Sequence, residues 1–209
     1  MNLVNEFIAN IIYKKNLKSI LDKKSICVRK IIVGSMVEIS KYYEDKSINF
    51  LYKLNHNNLL FVDAKKILTV FNDILIFLID NSFSDSSIWF CTNEILYKGK
   101  IYIKFKVGTN GFYISKEYLK IFFRENIEEK FRILDKNIQN FSLVKKTIQL
   151  HGGEINCSSE VNIEYPNGMI EFHFTLPTSN EYFRNRATLL PKNIYQLFKY
   201  NHFFSNAKN

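Results

Sequence analysis

The chain has 209 residues, enough for one domain with an appendage and a sizeable buried core but too few for two full-size domains. Its composition, 46% hydrophobic and 23% charged, is that of a globular protein and excludes wholesale disorder and collagen-like or coiled-coil architectures. The net charge of +9 permits an anionic partner, but the 29 basic residues are scattered in doublets such as Lys23-Lys24, Lys65-Lys66 and Lys145-Lys146, so nucleic acid is not the expected partner.

The longest apolar run, Ile74 to Ile79, falls far short of the roughly 18 residues that cross a bilayer. Met1 to Asn10 has neither the basic start nor the small-residue cleavage site of a secretory leader, so no transmembrane segment and a cytoplasmic location are expected. Cys27, Cys91 and Cys157 are widely spaced, form no CxxC pair and read as reduced thiols.

In chain order, Leu3, Val4, Phe7, Ile8, Ile11 and Ile12 recur at helical spacing and predict an amphipathic opening helix, a candidate homodimer contact. A second helical pattern runs from about Val28 to Tyr43. Two strand-like runs, Ile48 to Leu54 and Leu59 to Val62, flank Asn55-His56-Asn57-Asn58 and read as a hairpin or strand pair. Asp63 is placed to cap a largely apolar helix from Ala64 to about Asn81. Ile88 to Leu96 and Lys100 to Val107 predict a strand pair about Tyr97-Lys98-Gly99.

Past a break at Gly108 to Gly111, Lys116 to Phe123 has the spacing of a short helix, and Arg124 to Asn140 lacks a core face. Phe141 to Leu150 is helical again and stops at Gly152-Gly153. Strands follow at Glu154 to Ser158 and Met169 to Leu176, with Pro177 ending the pattern. Residues 178–209 form a basic, aromatic tail with a short helix expected around Asn193 to Tyr200.

Val144-Lys145-Lys146-Thr147-Ile148-Gln149-Leu150-His151-Gly152-Gly153-Glu154-Ile155 resembles the VKKIVELHGGxI junction of the ATP-binding catalytic domain of bacterial sensor histidine kinases, and Phe172 to Pro177 resembles its closing FxFxLP strand. That domain belongs to the ATPase superfamily shared with gyrase, the ninety-kilodalton heat-shock chaperone and the mismatch-repair ATPase. The resemblance implies an α/β two-layer sandwich, a mixed sheet with helices on one face. It implies the division 1–27 N-terminal helical segment, a remnant of a dimerisation hairpin, 28–177 histidine-kinase-like ATPase domain, and 178–209 tail.

The family's nucleotide motifs survive only in part. Where the resemblance implies NxxxNA, the chain has Phe77-Leu78-Ile79-Asp80-Asn81-Ser82: Asn81 matches the Mg2+ ligand, Phe77 replaces the first asparagine, and Ser84 stands where a basic residue is expected. Asp80 and Asp85 are oxygen donors suited to Mg2+, though a carboxylate also repels a triphosphate. Where the adenine-binding DxGxG is implied, the chain has Thr109-Asn110-Gly111-Phe112-Tyr113; Gly111 is retained, Thr109 offers no carboxylate, and Tyr113 is expected to obstruct the pocket. The glycine-rich phosphate turn GxGLGL is matched by Ile138 to Val144, which has no glycine.

Asn81 reads either as a metal ligand or as a helix C-terminal cap, and Gly111 either as a remnant of the base-binding loop or as a turn residue; the plainer reading is preferred for both. Phe112, Tyr113, Phe122 and Phe123 are expected to fill the cleft with hydrophobic core rather than stack on a base. His56, His151, His173 and His202 lie away from the N-terminal helix, so no phosphoacceptor is identified.

The expected function is therefore a degenerate histidine-kinase-like protein, a pseudokinase of two-component signalling. It would work by protein contacts with a response regulator or an intact histidine kinase, with no cofactor expected, or ATP/Mg2+ if the site is open. The alternatives are the ATP-binding catalytic half of a split sensor kinase and a histidine phosphotransferase-like relay protein.

Overall fold

The structure, a computed structural model, describes residues 21–40, 46–97, 99–124 and 141–182. In chain order its elements are β1 (Lys23–Ile26), α1 (Val28–Ile39), β2 (Asn49–Asn55), β3 (Asn58–Asp63), α2 (Ala64–Asn81), β4 (Ser87–Tyr97), β5 (Lys100–Asn110), α3 (Lys116–Ile121), α4 (Phe141–Leu150), β6 (Ile155–Glu160) and β7 (Met169–Tyr182). The strands form one mixed sheet in the order β1-β3-β7-β5-β4-β2, with β6 also on β7. The β2–β4 pair is parallel, and the remaining pairs are antiparallel.

The period-two pattern of the strands puts one face of the sheet against the helices. Ile103, Phe105 and Val107 of β5 and Ile170, Phe172, Phe174 and Leu176 of β7 are all buried, while Lys104, Lys106 and His173 alternate with them on the other face. Phe105 and Phe174 stack at 4.7 Å, and Phe71 of α2 meets both edge-on at 5.5 Å. Each such ring removed from water stabilises the fold by roughly 1.5–3 kcal/mol. The predicted sandwich, with helices on one face of a mixed sheet, is the observed architecture.

Asp63 caps α2 as predicted, its carboxylate accepting from the Lys66 N–H at 3.2 Å. Beside this cap His151, Gly152 and Gly153 close α4. Gly152 takes φ +84°, and a Cβ on Gly153 would collide with the backbone carbonyl of Thr175. The HGG stretch is thus explained by a helix stop followed by a close backbone approach to β7.

Four expectations are corrected. The strand from Lys100 does not break at Gly108 but runs to Asn110, with Gly108 opposite Trp89 and Glu171 and Thr109 opposite Ile88 and Ile170. The runs around His56 do not form a hairpin: β2 pairs with β4, whereas β3 pairs with β1 and β7. The link is held on β4 instead, where the Glu94 carboxylate accepts from the N–H groups of Asn57 (2.7 Å) and Asn58 (2.8 Å) and from the Asn58 amide (2.9 Å). Lys23–Ile26, read as part of a charged stretch, is a strand because β3 offers it a partner edge. Pro177 does not end β7: it sits opposite Tyr102, and beyond it the strand passes from β5 to β3, Thr178 Oγ1 donating to the Ile101 carbonyl at 2.8 Å. The sheet therefore reaches beyond 28–177 at both ends. The expected helices at Leu3 to Ile12 and Asn193 to Tyr200, and nearly all of the Arg124 to Asn140 stretch, lie outside the described residues.

Candidate functional site

The last turn of α2 and the end of β5 bring the implied nucleotide residues to one corner. Asn81 is the final residue of α2, and its amide donates to the Phe77 carbonyl one turn back at 2.8 Å. Ser82, the next residue, is buried; its hydroxyl bonds the Leu78 carbonyl at 2.5 Å and meets Thr109 Oγ1 at 2.9 Å. Thr109 is fully buried and also lies 3.2 Å from the Asn110 carbonyl. Where the resemblance implies a carboxylate facing a base, the structure has a buried hydroxyl engaged with the end of a helix.

Lys46 completes this corner, and nothing in the sequence pattern marks it. Its Nζ donates to the carbonyls of Ile79 (2.6 Å), Ser82 (3.1 Å) and Asp80 (3.3 Å), answering both the orphan acceptors and the negative end of the α2 dipole. The partner carbonyls lie more than thirty residues away along the chain, so local spacing carries no trace of the contact. The carboxylates of Asp80 and Asp85 lie in exposed residues, and Asp85 takes φ 63° in the loop that follows.

Gly111 follows β5 at φ +90°, where its N–H donates to the Gly168 carbonyl at 2.7 Å. A Cβ there would come within 2.9 Å of the Phe83 ring, so the turn needs glycine twice over, for its dihedral and for its space. An open pocket of about 230 Å3 lies beside it, between the Phe83–Ser86 loop and the Glu164–Gly168 turn.

Next to this corner is a cluster of aromatic rings. Phe77, 1% exposed, meets Phe141 at 5.1 Å, Phe122 at 5.4 Å, Phe172 at 5.9 Å and Phe112 at 6.0 Å, all edge-to-face. Phe141 and Phe172 stack at 5.0 Å, and Phe123 packs on Phe122 at 5.4 Å. Each favourable ring pair adds about 0.5–1.5 kcal/mol beyond burial. Phe122 thus lies in the core, and Phe112 and Phe123 pack half-buried against it. Tyr113, expected among them, does not join: its side chain is 45% exposed, and the adjacent Phe112 takes the inward position. Of the glycine-poor phosphate turn, residues 138–140 lie outside the described residues, and Phe141 is a buried helix residue.

The described histidines are engaged in the fold. His151 is buried, with Nε2 accepting from the Asp63 N–H at 3.1 Å and Nδ1–H donating to the Thr147 carbonyl at 2.8 Å, a pairing that requires the neutral ring. Burial pushes its pKa down, the Thr147 contact opposing. His56 Nδ1 lies 2.6 Å from Thr92 Oγ1, and burial lowers its pKa too. On the open sheet face His173 Nε2 lies 3.0 Å from Ser158 Oγ and 3.2 Å from Glu171 Oε1. Hydroxyl and carboxylate share one ring nitrogen, so this trio lacks the nucleophile–base–carboxylate relay of a hydrolase. Among the described residues no group of three His, Cys, Asp or Glu side chains is placed to hold a metal, and no helix is long and apolar enough to cross a membrane.

No family model and no curated protein matches this chain. Solved structures do. The nucleotide-free catalytic domain of histidine kinase ThkA superposes with a TM-score of 0.60 at 19% identity, over 75% of this chain and 95% of that one. The mycobacterial sensor histidine kinase MprB gives a TM-score of 0.61 at 14% identity, over 76% and 98%. ThkA in complex with the response regulator protein TrrA gives 0.60 at 17%, over 83% of this chain and 47% of that one. These superpositions show that this chain has the fold of the histidine-kinase ATP-binding catalytic domain.

Proposed function

We propose that the protein is a pseudokinase of two-component signalling, which keeps the catalytic-domain scaffold and acts through protein contacts with little or no ATP turnover. The observation that carries this reading is Phe77. At the position where the resemblance implies a polar asparagine, its ring is the hub of a buried aromatic cluster. An apolar ring there offers nothing to a phosphate or to the water around a metal. The rest of the corner supports it, because Thr109, Ser82, the Asn81 amide and Lys46 spend hydrogen bonds on the chain itself. This donor set does not fit Mg-ATP as the family binds it.

The partner is a response regulator or an intact histidine kinase. Support comes from the ThkA–TrrA complex, in which a kinase of this fold meets a response regulator. The test is calorimetric titration of ATP and ADP with and without Mg2+. The expected result is no metal-dependent binding tighter than roughly 100 μM, about −5.5 kcal/mol. Tighter binding that needs Mg2+ and is abolished by Asn81→Ala would overturn the reading in favour of the catalytic half of a split kinase.

A further inference from the structure

The face of the sheet turned away from the helices carries a set of cations that the corner above does not use. Strand register sets them side by side: Lys53 lies opposite Cys91, Cys91 opposite Lys106, and Lys106 opposite His173. Lys53 and Lys106 are two strand spacings apart, about 10 Å, and Lys104 follows Lys106 at about 7 Å along β5. Lys104 sits between Asn93 and Thr175, neither of which is charged.

Alternation puts three carboxylates on this face, all on its β6–β7 side: Glu154, which accepts from the Tyr97 hydroxyl at 2.7 Å, Glu160, which accepts from the Asn162 amide at 3.0 Å, and Glu171. Glu171, with only 12% of its side chain exposed, accepts from Trp89 Nε1 at 2.8 Å and lies 3.3 Å from Lys106 Nζ and 3.2 Å from His173 Nε2. β2, β4 and β5 place no carboxylate on this face, so the charge left over on that side is positive and carried by Lys53, Lys100 and Lys104.

We infer that this open sheet face is a docking surface for an acidic protein partner, whose carboxylates pair with Lys53, Lys104 and Lys106. Charge complementarity selects the occupant. Residues 183–209 contain Arg184, Arg186, Lys192, Lys199 and Lys208 and no acidic residue, and residues 1–20 set Lys14, Lys15 and Lys18 against Glu6, so neither segment complements the face. A second copy brings a further +9. A single-stranded nucleic acid would want aromatic faces free to stack, and the rings on this face are engaged with one another: Trp89 lies against Gly108 with Tyr165 at 6.2 Å, and Tyr97 meets Tyr102 edge-on at 5.6 Å. Discrete carboxylates on a protein suit three separate lysines better than a continuous phosphate track.

The surface rests on the protein-contact reading above, and the two fail separately: Mg-ATP binding would sink the pseudokinase and leave this face untouched. The probe is a fluorescent Glu/Asp-rich helical peptide, with affinity read by anisotropy. Lys53→Glu with Lys104→Glu should weaken binding by about tenfold or more, whereas Lys65→Glu with Lys116→Glu, the same charge change on exposed helical residues, should weaken it less than about twofold. Raising salt from about 50 to about 300 mM should narrow that gap through screening. Equal weakening by both pairs, or no binding of the peptide, would overturn the inference. So would tighter binding of oligothymidylate or phosphatidylserine vesicles through the same lysines, which would assign the face to nucleic acid or lipid.

Discussion

Phe77 illustrates how one residue can decide what a corner does. It lies at 1% exposure with aromatic edges on four sides, so restoring the asparagine of the resembling motif should not restore nucleotide binding. Phe77→Asn removes a large buried ring and strands an amide, and is expected to cost about 3–5 kcal/mol or more in urea unfolding. A variant that kept its stability and gained affinity for Mg-ATP would show the cluster to be dispensable packing. His151 acts at the same scale through pH. His56, His151 and His173 all have pKa values lowered first by burial, so the unfolded chain, titrating near 6.5, takes up protons that the folded chain refuses. The stability they contribute is present above about pH 6.5 and is lost as pH falls towards the lower folded values. Asp73 works in the opposite sense: burial raises its pKa to about 6, so protonation favours the fold as pH falls from there towards about 4. His151→Leu should lower stability at pH 7 by about 1–3 kcal/mol, because the Asp63 N–H loses its acceptor. Urea midpoints of this variant should also fall less steeply than wild type between neutral and mildly acid pH, and an unchanged slope would remove His151 from the account. The substitutions at Phe77 and Thr109 are legible as residue types, whereas the bonds of Thr109 to Ser82 and of Lys46 to α2 are not, because they join segments distant along the chain.

At the scale of elements, α2, β4 and β5 are written plainly, since each has a long period and a signalled start or turn. Observed helix bounds of Ala64–Asn81 match the expectation because Asp63 supplies the cap and the apolar stripe runs the whole length. Strand partnership is another matter. The Asn-rich link between β2 and β3 has good turn composition yet joins strands that do not pair, since the turn binds a third strand through Glu94. Glycines at element ends give the sharpest test. Gly153→Ala should cost at least about 3 kcal/mol in thermal unfolding, because its methyl group meets the rigid backbone of β7 at Thr175. Gly99→Ala, at φ +72° but with open space around it, should cost only about 1 kcal/mol. Similar losses at the two positions would mean that β7 yields and that the close approach does not define the junction.

Taken whole, the molecule has a helix-covered face that holds the core and an open face that carries the unspent charge. Its response to nucleotide is a whole-molecule readout: with the corner closed on itself, a large excess of Mg-ATP should leave the thermal midpoint where it is, whereas a ligand at about 100 times its Kd would add about 2.7 kcal/mol. The alternation of apolar and charged residues by itself determined the buried faces of α2, β4, β5 and β7, because these depend on periods of two and 3.6, whereas the layer architecture and the loss of the polar first position at Phe77 were implied by the resemblance of the HGG junction and the closing strand. Only the tertiary structure decided that β1 joins the sheet, that β2 and β3 part company, that Tyr113 turns outward, that Lys46 caps α2, and that Lys53, Lys104 and Lys106 share one surface. Each of these depends on which distant segment occupies the neighbouring space, and such contacts leave no local period in a chain.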